Sequence, residues 1–261
     1  HKAKKDNPNA VVVAAGCYVQ EAGEKLLADE AVDIIVGNNR KGQIVEVLEE
    51  YFKGRNIDNS FIDINKTREY ENLEINASLA HTRAYIKIQD GCNQFCTYCI
   101  IPFARGRVRS RKPEHIIKEI ENIAKQGIKE VVITGIHIAS YGKDFRNGYK
   151  LIDLLEEINQ IEGIERIRLG SIEPLLITEE FVQRLTKLEK ICEHFHLSLQ
   201  SGCDETLKRM NRRYTIEQFT EIVERLRVAY SNVNLTTDII VGFPGETEEE
   251  FNKTYKFLEN I

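Results

Sequence analysis

Nowhere in the 261 residues does an apolar run approach the roughly 20 residues that cross a bilayer, and no signal-peptide pattern precedes the first apolar segment. These absences point away from a membrane protein and toward a cytoplasmic one. Excess positive charge is missing too. Lys and Arg total 36 against 41 Asp and Glu, a formal charge of −5, which excludes a protein that coats nucleic acid by bulk attraction. Any RNA contact has to use a local patch. Cysteine is sparse outside one place: of the residues at 17, 92, 96, 99, 192 and 203, three fall within eight residues, whereas a disulfide framework is spread more evenly. A reducing compartment fits this usage. Met210 is the only methionine, His1 stands where an initiator would be, and no Gly or Pro closes the helical stretch 248–261. The expectation is an internal fragment of a longer protein.

What is present is a globular composition, 42% hydrophobic and 30% charged, long enough for one large domain or two modest ones. Two are expected. Apolar runs at 10–15 and 32–36 flank a helical stretch at 21–29, a β-α-β pattern. Asn38 or Asn39 can cap the next helix, 43–51, whose Ile44, Val47, Leu48 and Tyr51 share one face, and Gly54 ends it. Residues 1–54 therefore read as part of a small α/β domain, the polar stretch 55–82 as a linker, and 83–261 as a second domain. In that domain strands are expected at 85–88, 130–134, 166–169, 194–199 and 234–241, each followed by a helix-period stretch. Pro113 stands in a first turn, and Thr215 with Gln218 and Thr247 with Glu250 match the capping box. Five β-α units in series imply a parallel α/β sheet, either a full or partial β/α barrel or a doubly wound open sheet. In both, ligand chemistry belongs at the carboxyl ends of the strands.

The loop after the first of these strands reads QDGCNQFCTYCIIPFARGRVRSR, and its C-x3-C-x2-C spacing lets Cys92, Cys96 and Cys99 converge on one small inorganic object. A structural zinc site would want a fourth ligand at matched spacing, and no second close cysteine pair exists. Three ligands on a four-iron cluster leave one iron open to a reactant.

This triplet, with Tyr98 beside its third cysteine, resembles that of the radical S-adenosylmethionine (SAM) superfamily, whose fold is a partial six-stranded β/α barrel. Five strands would be visible here. Within it the chain resembles the tRNA methylthiotransferases, through AAGCYVQ at 14–20, GCNQFCTYCIIPFARGRVRSR at 91–111, LSLQSGCDETLKRMNRRYT at 197–215 and TDIIVGFPGETEEEF at 237–251. TGIHIASYGKD at 134–144 is similar to the threonylcarbamoyladenosine-specific branch; the isopentenyladenosine branch and the branch modifying a ribosomal protein differ there.

The resemblance implies two 4Fe-4S clusters and SAM as cofactors. Cys92, Cys96 and Cys99 would hold the first cluster, and Cys17, with two partners upstream of His1, an auxiliary one. Thr134, Gly135, Glu173, Gln200, Ser201 and Arg213 are the candidate SAM contacts, with Arg209 and Arg212 competing with Arg213 for the methionine carboxylate. The backbone of 242–246 can flank the adenine. Cys192 and Cys203 match no ligand position and read as structural thiols.

The implied reaction uses a 5′-deoxyadenosyl radical to remove hydrogen from carbon 2 of the base, sulfur from the auxiliary cluster and a methyl group from a second SAM. tRNA, an electron donor and a sulfur source are the implied partners. The basic run RGRVRSRK at 105–112 reads either as a solvated face or as a track for RNA phosphates, and His137 and Tyr141 are candidates to touch the modified base. Two rivals remain: a cobalamin-dependent radical methylase with the same triplet, and a zinc-stabilised RNA-binding module without catalysis.

Overall fold

The computed structural model describes residues 1–55, 62–73 and 82–261, which group into two compact units. The first takes in 1–55, 62–73, Gly91–Asn93 and Ile100–Arg109; the second 82–90, Gln94–Cys99 and Ser110–Ile261. Much of the stretch expected as a linker, 56–61 and 74–81, lies outside the described residues. Its described middle is packed: Ile64 is fully buried, the Ile62 carbonyl accepts from Gln20 Nε2 at 2.8 Å, and Glu71 Oε1 accepts the Gly42 N–H at 2.9 Å.

In the first unit α1 (Lys2–Asp6) precedes a β-α-β turn of β1 (Val13–Ala15), α2 (Cys17–Leu27) and β2 (Ile34–Val36), the two strands pairing in parallel. A 3-10 turn, Lys41–Gln43, leads into α3 (Ile44–Phe52), and α4 (Ile101–Ala104) packs against α2. Neither Asn38 nor Asn39 caps α3, contrary to the sequence reading. Asn38 is buried and its amide donates to the Ala104 carbonyl at 2.6 Å, while Asn39 turns the chain with a φ of 67°. A buried carbonyl without a partner is costly, so it claims the amide that a cap would have used.

The second unit runs through β3 (Arg83–Asp90), the two-residue β4 (Arg109–Ser110) at its border, α5 (Pro113–Lys125), β5 (Glu130–Gly135), α6 (Leu151–Asn159), β6 (Arg166–Leu169), α7 (Glu179–Leu185), β7 (His194–His196), α8 (Asp204–Arg209), α9 (Ile216–Ala229), β8 (Asn234–Thr236) and α10 (Glu248–Asn260). β3 pairs in parallel with β5, β5 with β6, and β7 with β8. Parallel bridges Ile167↔Ile191 and Ile172↔Leu197 carry the order from β6 to β7. The five long-range strands thus follow one another without reversal, as barrel staves do, whereas a doubly wound sheet reverses at its switch point.

Two strands are shorter than their apolar runs. The Thr237 hydroxyl accepts the Leu199 N–H at 3.1 Å and donates to the Leu197 carbonyl at 2.6 Å, so a side chain takes the place of ladder bonds.

The core lies between strands and helices. Ile86, Ile88, Val131, Ile133, Ile167 and Leu169 of the sheet meet a core that includes Ile116, Ile120 and Ile123 of α5, all at most 3% exposed. Each such side chain contributes about 1.5–3 kcal/mol. Both expected capping boxes form, at Thr215 with Gln218 and at Thr247 with Glu250. β3 carries a register shift between Lys87 and Gln89, pairing Lys87 with Thr134 and Gln89 with Gly135. That irregularity leaves Gln89 fully buried, a long polar side chain that has to find partners.

Candidate active site at the cysteine loop

Gln89 finds one of them at the end of β5. Its Oε1 accepts the His137 N–H at 2.7 Å and its Nε2 donates to the Asp90 carbonyl at 2.8 Å, which fixes the loop after β5 against the strand that feeds the cysteine loop. A Cβ on Gly135 would meet the Gln89 carbonyl at 3.0 Å, so glycine permits this approach. The His137 ring lies with Nδ1 2.6 Å from Ser140 Oγ, and its Nε2 is 3.4 Å from Gln94 Nε2 and 3.7 Å from Glu173 Oε2. Gln94 is itself part of the cysteine loop.

Glu173 is held by Arg212. Their side chains are each 7% exposed and 2.8 Å apart, and Arg212 also donates to the Ser198 carbonyl at 2.9 Å, to the Tyr214 hydroxyl at 3.2 Å and to Cys96 Sγ at 3.5 Å. Burial lowers the Arg212 pKa, but Glu173 and the other partners outweigh it and hold the guanidinium above its ordinary value. One buried cation therefore ties a cysteine sulfur, a carboxylate and the end of β7 together. The loop itself is clamped to the turn after α8: the Thr97 N–H donates to the Met210 carbonyl at 3.2 Å, and Asn211 Nδ2 donates to the Gln94 and Phe95 carbonyls at 3.3 and 2.9 Å. Cys99 N–H donates to Cys96 O at 3.0 Å, and the Tyr98 ring meets Phe243 edge to face at 6.4 Å. Cys92 belongs to the first unit, where it is buried and its N–H donates to the Gly106 carbonyl at 3.0 Å.

The other candidates fall as follows. Thr134 is the last residue but one of β5, and its hydroxyl has no hydrogen bond among the described residues. Gln200 has a φ of 71° and exchanges backbone bonds with Asp238 and Ile240. Ser201 is fully buried, 3.2 Å from the Thr254 hydroxyl of α10 and accepting the Cys203 N–H. Of the three arginines, Arg209 is paired with Glu250 and Arg212 with Glu173, while Arg213 lines a groove and makes no ion pair or hydrogen bond among the described residues. Tyr141 is buried, with its hydroxyl donating to the Arg111 carbonyl, and it lines the same groove as Arg213. Burial pushes the Cys192 and Cys203 thiols up, and Cys203 donates to Glu205 at 2.9 Å.

In the first unit Cys17 opens α2. Arg105 Nε donates to its sulfur at 3.0 Å and Asn38 Nδ2 at 3.5 Å. These two N–H groups fix the direction of the sulfur at the start of the helix.

The basic run is not an RNA track. Arg109 and Arg111 are buried. Arg109 donates to the Arg105 and Arg107 carbonyls, and Arg111 forms an ion pair with Glu119 of α5. An extended stretch with these arginines turned inward has no row of free cations to offer phosphates.

Three cysteine sulfurs in one loop, one of them contacted by a guanidinium, suit an iron-sulfur cluster by donor chemistry, although among the described residues no three metal-ligating side chains already stand together. A sequence model of the radical SAM superfamily matches residues 86–258, most of the second unit. The chain belongs to the radical SAM superfamily.

Its likeness to particular radical SAM proteins runs further than that match. It is 43% identical to the threonylcarbamoyladenosine tRNA methylthiotransferase MtaB of Bacillus subtilis over 99% of this chain and 57% of that protein. It is 42% identical to MtaB of Aquifex aeolicus, over 100% and 63%. The tRNA-2-methylthio-N(6)-dimethylallyladenosine synthase of a Thermoanaerobacter species is 40% identical over 99% and 55%. The chain spans a little over half the length of these curated relatives. Among solved structures, the radical SAM methyltransferase TsrM of Kitasatospora setae superposes with a TM-score of 0.73 at 18% identity, over 97% of this chain and 54% of that one. The cobalamin-dependent radical SAM enzyme OxsB gives 0.71 at 14%, over 99% and 40%. At these identities the likeness shows the fold alone and brings no cobalamin to this chain. The sequence reading of a radical SAM α/β fold holds, and no helix among the described residues is long and apolar enough to cross a membrane.

Proposed function

We propose that the chain is the cluster-bearing part of a cytoplasmic tRNA methylthiotransferase that converts threonylcarbamoyladenosine beside the anticodon to its 2-methylthio derivative. The observation that carries the reading is similarity over nearly the whole chain, both units included, to two proteins named for that reaction. The loop TGIHIASYGKD, whose His137 stands between the cysteine loop and Glu173, supports the choice of base. The dimethylallyladenosine branch is the second reading, because its relatives are only slightly less identical.

Cys92, Cys96 and Cys99 would hold the 4Fe-4S cluster that cleaves SAM, and Cys17 one corner of an auxiliary cluster. SAM would lie over Thr134, Gly135, Glu173, Gln200 and Ser201. When bound, the cluster and SAM supply the radical chemistry and the methyl group. The protein's own work is positional. Arg212 orients Cys96 and Glu173 together. Gln89 fixes the end of β5, and the Met210–Asn211 turn pins the cysteine loop in place. tRNA, an electron donor and a sulfur source complete the reaction.

Cells lacking the full-length protein test the reading. Mass spectrometry of their tRNA should show loss of the methylthio form of threonylcarbamoyladenosine alone; loss of the dimethylallyl product in its place would assign the other branch.

A further inference from the structure

A groove of about 630 Å³ runs outward from the cysteine loop between the loop after β5 and the N-terminal end of α7. Its size lies within the roughly 300–1,000 Å³ of small-molecule sites. The inner end is formed by Gln94, His137 and Glu173, and Arg213 also lines it, one residue from the arginine that reaches Cys96. Farther along, Leu175, Leu176 and Phe181 give an apolar wall, and Lys143 and Lys150 two further cations. The side chains of Arg213 and Lys143 make no ion pair or hydrogen bond among the described residues. Glu173 is already paired with Arg212, which leaves Glu180 as the lining carboxylate set against three cations.

We infer that this groove is the subsite for the amino-acid arm of the modified base, with Arg213 receiving its carboxylate and Lys143 assisting. The inference rests on the threonylcarbamoyl reading above. A threonylcarbamoyl arm is amphipathic, with a methyl group for the apolar wall and a carboxylate for a guanidinium fork. A dimethylallyl arm would use the wall and gain nothing from either cation. The methionine carboxylate of SAM carries the same chemistry, so the source of the carboxylate has to be separated by experiment.

The full-length enzyme, reconstituted without oxygen, is titrated in the absence of SAM with anticodon stem-loops. These carry threonylcarbamoyladenosine, a neutral alkylcarbamoyladenosine of similar length, dimethylallyladenosine or plain adenosine. The unaltered protein should favour the threonylcarbamoyl stem-loop over the neutral analogue by about ten- to a hundredfold, the range of a charge-assisted hydrogen bond. Arg213→Gln should erase that preference without altering affinity for plain adenosine, Arg213→Lys should keep part of it, and Lys143→Gln should lose a smaller part. Arg213 is exposed, so these variants should fold. An undiminished preference in Arg213→Gln overturns the inference. So does a variant that binds every stem-loop normally but binds SAM more weakly, since Arg213 would then serve the methionine carboxylate. A preference of the unaltered protein for the dimethylallyl stem-loop would instead overturn the proposed function itself.

Discussion

Replacing Arg212 with Leu removes the cation from a network in which Glu173 has one strong partner. Both side chains are 7% exposed, the pair is 2.8 Å long, and the next side-chain nitrogen near Glu173 is that of the His137 imidazole at 3.7 Å. Removing one member of a buried pair strands the other, at a cost of about 3–5 kcal/mol. For a unit of this size that is a fall in Tm of roughly 6–20 °C, at about 2–4 °C per kcal/mol. The double variant Arg212→Leu with Glu173→Leu should recover much of the loss, because an apolar pair of similar volume needs no compensation. Arg184→Leu serves as a control: its bonds to Asp153 and Glu156 are more exposed and should be worth about 1 kcal/mol or less. Thermal unfolding of the metal-free protein by far-ultraviolet circular dichroism, under reducing conditions, measures all four. A single variant within about 1 kcal/mol of the parent, or a double variant less stable than the single, would refute the reasoning.

Changing any one of Cys92, Cys96 or Cys99 to Ala should abolish the iron-sulfur absorbance of that site and the cleavage of SAM after anaerobic reconstitution; full cleavage by any of the three removes that residue from the ligand set. Gly91→Ala should lower stability and cluster loading together, as read by unfolding and iron analysis, because its φ is 71° and a Cβ would lie 1.9 Å from the Arg107 carbonyl. Arg209 and the Thr247 N–H hold the Glu250 carboxyl down to about 2, against an ordinary 4.5. A lowered carboxyl pKa adds stability that is present above about 4.5 and is lost as the pH falls toward about 2, so the Tm gap between the parent and Arg209→Gln should be open at pH 7 and shrink through that window. A gap independent of pH would show that Arg209 acts by packing alone.

Where the backbone follows local rules, the sequence was readable. Pro113 at the start of α5 and the Thr-led capping boxes need only near neighbours, and each forms; the apolar runs of β3, β5 and β6 form too, because their repeated spacing with helices dictates parallel pairing. Burial of the 105–112 run depends on Glu119 and on carbonyls that only the fold brings close, so a basic stretch read as solvent-facing turned out to be internal. The choice between Arg212 and Arg213 has the same origin. They are adjacent and chemically identical, and a single left-handed residue before them, Asn211 at a φ of 58°, sets which one turns inward. Gln89 and Gln94 gave no signal, since a glutamine has no pattern of its own and Gln89 became buried beside a shift in strand register. Three cysteines in eight residues were conspicuous for the opposite reason: their spacing is itself the chemistry.

The path of the chain between the two units has a consequence for inheritance. Gly91–Asn93 and Ile100–Arg109 lie far along the sequence yet fold with 1–73, interleaved with stretches that fold with the other unit. A recombination event near residue 82 would deliver each partner an incomplete core, one missing α4 and the Gly106 carbonyl that meets Cys92, the other carrying them with nothing to pack on. Modules laced in this way cannot be exchanged between genes as a contiguous cassette. Their lineages should be shuffled only as one piece, because a crossover near residue 82 divides the first unit and one just after Arg109 divides the second, parting β3 from β5.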